Sequence, residues 1–254
     1  MPDSMNDNAG IPAPQRAGRV YRHRAPTRLW HWINVVVMAV MLMSGLMIFN
    51  AHPRLYWGQY GANFDPAWLD LSGGDGIPFP GWITIPSFYS LADARLWHLA
   101  FAWLLAVASA GYWLWAFLSG HLRRDLAPRM AELAPAHVWQ DVVDHARLRF
   151  PTGAAALRYN VLQKLAYGGV LLGLIPLIIF TGMAMSPGLD AAFPGLTGLV
   201  GGRQSARSLH FIAASGLVAF FAVHIAMVLL VGPVNAIRAM LTGWHHLPRT
   251  GENG

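Results

Sequence analysis

Four stretches of the chain, at about 30–49, 96–118, 162–185 and 208–231, are apolar and each reaches the roughly 20 residues a helix needs to cross a bilayer. Inside lipid every backbone polar group must be satisfied within the segment, so the fold class expected is an all-α membrane protein, a four-helix transmembrane bundle. Only 12% of the 254 residues are charged, against about 25% in an ordinary soluble domain. The first run follows a polar, basic stretch and has no small-residue cleavage site behind it, so it reads as a retained helix rather than a signal peptide. Residues 1–20, with their Pro, Asn and Gly, read as a disordered cytoplasmic N-terminus, 21–243 as one four-helix domain and 244–254 as a cytoplasmic tail.

Charge sets the expected orientation. Arg16, Arg19, Arg22, Arg24 and Arg28 precede the first run; Arg123, Arg124, Arg129, Arg147, Arg149, Arg158 and Lys164 lie between the second and third; Arg238 and Arg249 follow the fourth. The two remaining connections hold only Arg54, Arg95, Arg203 and Arg207. The positive-inside rule then puts both termini and the middle connection of this multi-pass protein in the cytoplasm. The net charge of +6 follows from this topology, and no nucleic-acid partner is expected from it. Cysteine is absent, which removes disulfides, thiolate metal sites and c-type haem attachment.

The connections carry weaker signals. The outer one, about 50–95, holds Tyr56, Trp57, Tyr60, Trp68, Trp82 and Tyr89 among Gly and Pro residues; it reads as an interfacial aromatic belt or as a docking platform for an extracytoplasmic partner. A surface helix is expected near 136–149 in the inner connection. The third run contains Gly169-x-x-x-Gly173, a close-packing signal, and Pro176, which a bundle tolerates.

The histidines are the informative residues. Seven of the eleven lie in connections or tails, where solvation is the ordinary state; His31, His98, His210 and His224 lie inside the spanning runs, where an ionisable residue is costly and faces the bundle interior. His210 and His224 are 14 residues apart, nearly four whole turns and about 21 Å of rise, so they share a face at two depths. The first helix runs outward and the second inward, which brings His31 to the depth of His224 and His98 to the depth of His210. Two imidazoles from opposite sides are what a six-coordinate haem iron takes as axial ligands.

Arginine and glycine extend the pattern. R-L-W-H occurs at 28–31 and again at 95–98, and R-S-L-H at 207–210; an Arg three residues before a His shares its face one turn nearer the water. Arg95 and Arg207 are therefore placed for outer haem propionates and Arg28 for inner ones, with snorkelling at the membrane edge as the alternative role. Gly45 and Gly111 fall at haem depth on the two helices that carry no ligand there, where absence of a side chain leaves clearance. Ala213, Ala214, Leu217 and Phe221 are expected between the two levels. Histidines bonded across helices as packing glue, or a bare metal ion on two imidazoles, are the competing readings; depth-matched pairing and interface arginines favour haem over both.

With R-x-x-H-W (Arg28, His31, Trp32), His98 and the H-x13-H of His210 and His224, the chain from Tyr21 to Gly243 resembles the bacterial cytochrome b561 superfamily. That superfamily includes the diheme cytochrome subunits of nickel–iron hydrogenases, thiosulfate reductases and formate dehydrogenase. The resemblance implies two haem b groups, on His98/His210 and His31/His224, and electron transfer in a respiratory chain between quinone and an extracytoplasmic redox subunit. Y-N-V-L-Q-K at 159–164 and R-Q-S-A-R-S-L-H at 203–210 are similar to a subgroup linked to molybdopterin oxidoreductases, and imply Asn160, Gln163 and Lys164 as quinone contacts. Both long connections exceed those of the shortest members, which favours a partner-dependent subunit over a stand-alone superoxide:quinone oxidoreductase. A haem-free transporter or structural bundle is the third reading.

Overall fold

A computed structural model describes residues 15–16, 18–73, 77–149, 159–193 and 195–246. Among them are eight α-helices: α1 (Ala25–Asn50), α2 (Leu91–Leu118), α3 (Pro135–Ala146), α4 (Val161–Gly169), α5 (Ile175–Met185), α6 (Pro187–Ala192), α7 (Arg203–Val231) and α8 (Pro233–Thr242). Four continuous spans are long and apolar enough to cross a membrane: α1, α2, Val161–Met185 and α7.

Three of the four spans start well before the apolar run that announces them, by five residues each in α1, α2 and α7, where the runs begin at 30, 96 and 208. The extra turns contain the arginine of each R-x-x-H, because a helix entering the interface continues through residues that hydropathy does not count. Ser90 caps α2, accepting the Asp93 N–H at 3.3 Å, and Pro26 and Pro233 sit in first turns, where no amide hydrogen is required.

The third span contains a π-helical turn at Val170–Leu174, directly before Pro176. There the Ile175 N–H reaches Val170 O, which deprives the Leu171 carbonyl of its usual donor. Trp113 Nε1 on α2 supplies a replacement at 3.1 Å, the kind of rescue a bundle gives a proline helix. Gly169 and Gly173 have open space beside them, so the G-x-x-x-G spacing marks no helix contact among the described residues.

Packing is dense within two hairpins, α1 with α2 and α5 with α7, and sparse between them. A mid-depth cluster of Val37, Met41, Leu105, Ile178 and Ala213 joins the hairpins, with Ala214 and Leu217 against it. At one end, β2 (Arg19–Tyr21) lies between β1 (Gln15–Arg16) and β5 (Trp244–His246), antiparallel to both. Both chain ends therefore leave the bundle on the same side, which we call the termini end. Residues 1–14 and 17, where an unstructured stretch is expected, lie outside the described residues, as do 247–254. The surface helix expected near 136–149 is α3.

The other end is covered by the connection from α1 to α2. There β3 (Arg54–Leu55) pairs with β4 (Leu69–Asp70), closed by an Arg54–Asp70 ion pair at 3.0 Å. Buried Asn50 exchanges two hydrogen bonds with the Phe79 backbone, at 2.8 and 3.0 Å. The Gly58 carbonyl accepts from the N–H groups of Gln204 and Ser205, satisfying donors that the first turn of α7 cannot satisfy itself. Gly202 lies so close to Gly58 that a Cβ would stand 2.6 Å from that carbonyl oxygen, and its φ of +113° also demands glycine.

Candidate functional site

The four membrane histidines meet as two pairs. His98 and His210 face each other at the long-loop end with ring centroids 6.2 Å apart and planes at 59°. His31 and His224 do so at the termini end, at 6.3 Å and 59°. A bond of about 2 Å from each imidazole nitrogen to a first-row metal, plus half a ring on each side, accounts for that separation. Each pair spans the two hairpins, since His31 and His98 come from the first and His210 and His224 from the second. The sparse contact between hairpins is thus where a flat macrocycle has room.

At the long-loop end both rings are held by the partner helix of their own hairpin. The Ser44 hydroxyl donates to Val40 O at 2.7 Å and lies 3.0 Å from His98 Nδ1. Thr181 Oγ1 donates to Leu177 O at 2.8 Å and lies 3.0 Å from His210 Nδ1. A hydroxyl has one proton, and here the helix carbonyl takes it, so each imidazole must be the donor through Nδ1–H. Nε2 is then left unprotonated, the state a metal ligand requires. Next to each hydroxyl is a glycine on the ring edge: a Cβ at Gly45 would stand 3.4 Å from His98 Cε1, and one at Gly182 3.3 Å from His210 Cε1. Gly45 therefore makes room for the His98 ring.

Ser44, Thr181 and Gly182 escaped sequence reasoning. Their signal is the pair of dipeptides S-G at 44–45 and T-G at 181–182, ordinary in a membrane helix until the facing histidines are known.

The termini-end pair is supported differently. His31 Nδ1 is buried without a hydrogen-bond partner among the described residues. Phe220 stacks on His224 at 5.7 Å and 16°, Trp32 meets His31 edge-on at 5.1 Å, and Trp30 stacks on Tyr112 at 4.5 Å. Phe221, expected between the two levels, faces outward at 56% exposure; Phe220, four residues before His224, takes the inward position. Gly111 has nothing within 4 Å of a Cβ position and lines open space.

Two of the three R-x-x-H arginines are tied to protein. Arg207 donates to Arg54 O at 3.1 Å and to His52 O, anchoring the long loop to the start of α7. Beside it Ser208 donates to Tyr56 O at 2.6 Å and accepts from Trp68 Nε1 at 2.9 Å. Burial, then the Arg207 and Arg54 guanidiniums, depress the His52 pKa. Arg28 Nη1 donates to Leu241 O at 2.7 Å, on the last turn of α8, while its buried Nε has no acceptor. Arg95 is exposed on α2. Arg28 and Arg207, the arginines expected near propionates, thus each have a backbone carbonyl partner.

The predicted quinone contacts have structural partners as well. Asn160 and Gln163 form a reciprocal capping box at the start of α4, with bonds of 2.8 and 3.3 Å. Lys164 Nζ bonds both oxygens of Glu132, at 2.9 and 2.7 Å. From this segment a series of ring contacts leads to the histidine pair: Tyr159–Tyr167 at 5.4 Å, Tyr167–Phe220 at 6.1 Å and Phe220–His224.

Four spans with imidazoles facing across them at two depths have the make-up of a membrane cytochrome b. The model of the prokaryotic cytochrome b561 family matches residues 22–243. A putative protein-methionine-sulfoxide reductase subunit YedZ1 of Azospira oryzae is 33% identical over 204 residues, 80% of this chain and 88% of the relative. Probable Ni/Fe-hydrogenase B-type cytochrome subunits of Cupriavidus necator and Azotobacter vinelandii are 23% and 24% identical, over 94% and 95% of this chain and 91% and 94% of theirs. The chain belongs to the prokaryotic cytochrome b561 family. It is accordingly a membrane protein of b-type haem and electron transfer.

Proposed function

We propose that the chain is the diheme membrane subunit that moves electrons between the quinone pool and an extracytoplasmic oxidoreductase. The observation that carries the reading is the equality of the two histidine pairs, 6.2 and 6.3 Å at the same 59° tilt. His98 and His210 hold one haem b, and His31 and His224 the other. When bound, haem b supplies one-electron Fe(III)/Fe(II) chemistry. What the chain contributes is two ligand pairs at opposite depths, a dry apolar cluster between them, and helix hairpins that fix the imidazoles before the macrocycle arrives.

The termini end faces the cytoplasm in this reading, since Arg22, Arg24, Arg28, Arg123 and Arg124 gather there. Quinone is handled on that side, along the start of α4; the ring series from Tyr159 to His224 supports this placement. Lys164, Asn160 and Gln163 border it, with Lys164 exchanging Glu132 for a quinone oxygen. The partner subunit docks at the long-loop end, where Tyr60, Phe64 and Trp82 present exposed rings at 90%, 101% and 82% on a loop otherwise tied down. The hydrogenase and sulfoxide-reductase relatives are named as subunits, and a molybdopterin oxidoreductase or a comparable redox protein fits the same place.

Two measurements test the reading. A reduced-minus-oxidised spectrum with pyridine haemochrome quantitation is expected to give two b-type haems per chain, and a haem-free preparation would overturn the assignment. Quinol analogues are expected to reduce the purified chain, with Lys164→Ala raising the quinol concentration needed and leaving the haem spectra unchanged.

A further inference from the structure

The two hydroxyls at the long-loop end form a matched device. Ser44 and Thr181 are each fully buried, each on the helix that packs beside a histidine-bearing helix, and each bonded the same way. Ser44 Oγ lies 2.7 Å from Val40 O, 3.3 Å from Met41 O and 3.0 Å from His98 Nδ1. Thr181 Oγ1 lies 2.8 Å from Leu177 O, 3.2 Å from Ile178 O and 3.0 Å from His210 Nδ1. Bonding to the carbonyl one turn back is common for Ser and Thr in helices. An imidazole on the same oxygen at both places, with a glycine next in sequence clearing the ring edge at both, goes beyond helix packing. At the termini end His31 Nδ1 has no hydrogen-bond partner among the described residues, so His31 lacks the device.

Resting on the diheme reading above, we propose that Ser44 and Thr181 are positioning residues that fix the tautomer of His98 and His210, raise the basicity of both ligands, and lower the midpoint potential of the long-loop haem. A hydrogen bond accepted from Nδ1–H pushes electron density toward Nε2, and a more basic ligand favours the ferric state. The hydroxyl that accepts is itself polarised by donating to a carbonyl, which strengthens the acceptor in a low-dielectric setting. With one such bond on each ligand, the two contributions act in the same direction on one iron.

Redox titration of the purified chain, with low-temperature electron paramagnetic resonance of the oxidised form, tests this. Two redox-titratable b haems in the parent, one of them lost in His98→Ala, establish the diheme reading and identify the long-loop haem before any hydroxyl is changed. Ser44→Ala and Thr181→Val are each expected to shift that haem's potential upward and alter its low-spin signal, with a larger shift in the double variant. The termini-end haem stays at the parent value. Ser44→Thr and Thr181→Ser restore parent behaviour. Should Ser44→Ala fail to assemble, Thr181→Val reads the same shift from the facing ligand. Full haem content with unmoved potentials in both single variants, or an equal shift of both haems, overturns the inference while leaving the diheme reading intact.

Discussion

The two ends of the bundle reach one ligand geometry by different means. At the long-loop end, hydroxyls and glycines grip the imidazoles, and the loop is bonded to α7 two and three residues before His210 through Ser208 and Arg207. At the termini end, aromatic faces surround the pair, and His31 Nδ1 has no hydrogen-bond partner among the described residues. Hydrogen bonds fix tautomer and direction, whereas ring stacking fixes position and excludes water while leaving the tautomer less constrained. The long-loop pair is therefore held in direction as well as position, and the termini pair in position alone.

The largest effect separates the ends outright. Replacing His98 or His210 by Ala is expected to halve the haem content, from two per chain to one, by removing the long-loop haem alone. Replacing His31 or His224 removes the other. His98→Ala combined with His210→Ala should lose no more than either alone, because both changes disable one iron. Pyridine haemochrome per mole of chain reads this directly, and equal loss of both haems from every variant would break the comparison.

The glycines come next. Gly45→Leu and Gly182→Leu place side chains against His98 and His210, where even a Cβ is at 3.4 or 3.3 Å; loss of most of the long-loop haem is expected, with the termini haem retained. Ala at either position asks the ring to give by only a few tenths of an ångström and should cost much less. Gly111 sharpens the contrast. Open space surrounds its Cβ position, so Gly111→Ala should retain both haems and gain up to about 1 kcal/mol of helix stability. Gly111→Leu reports whether that space is haem clearance: selective loss of the termini-end haem would say so.

How much of this could be read from the sequence depends on the kind of interaction. Spans were legible because lipid imposes a length and a polarity on each one, and the depth pairing followed from alternating helix direction. The helix starts were not, since interfacial residues such as Arg28, Arg95 and Arg207 are polar yet helical. The arginines illustrate the limit: three-residue spacing to histidine gives a shared face, but the acceptors of Arg207 lie more than 150 residues away at His52 and Arg54. Ser44 and Thr181 were invisible for the same reason, as their partners lie 54 and 29 residues distant. Phe220 and Phe221 differ by 100° around a helix, and only packing decides which turns inward.

A smaller effect tests the loop anchor. Arg207→Ala removes donors from two loop carbonyls, a loss of about 1.5–3 kcal/mol for bonds to a charged group. Because the anchor sits at the long-loop end, hydrogen exchange should accelerate at residues 52–58 and stay unchanged in β2 and β5. Partner docking should weaken in parallel, with haem content preserved. Arg207→Lys keeps the charge but not the paired donors, and is expected to fall between the two. Loss of the long-loop haem from Arg207→Ala, with the loop unperturbed, would instead assign the guanidinium to a propionate.

The smallest effect is a pH response that distinguishes the ends. Outside the spans, proton affinity is depressed at His23, His245 and His246 at the termini end and at His52 at the long-loop end. His23 is lowered to about 4, by burial first and then by Arg22, His245, His31 and Arg28. An unfolded chain takes up that proton near pH 6.5, while the folded chain resists until about 4. The stabilisation from neutral His23 is thus complete above pH 6.5 and is lost progressively as pH falls toward 4. The Arg22 and His23 amides both donate to Gly243 O, at 2.8 and 3.3 Å, so their intrinsic-rate-corrected exchange protection should drop over that window. His23→Gln should flatten the response without abolishing it, because His245 and His246 titrate in the same sense. A larger acid-induced loss of protection at residues 52–58 than at 19–23 would reverse the ranking of the two ends.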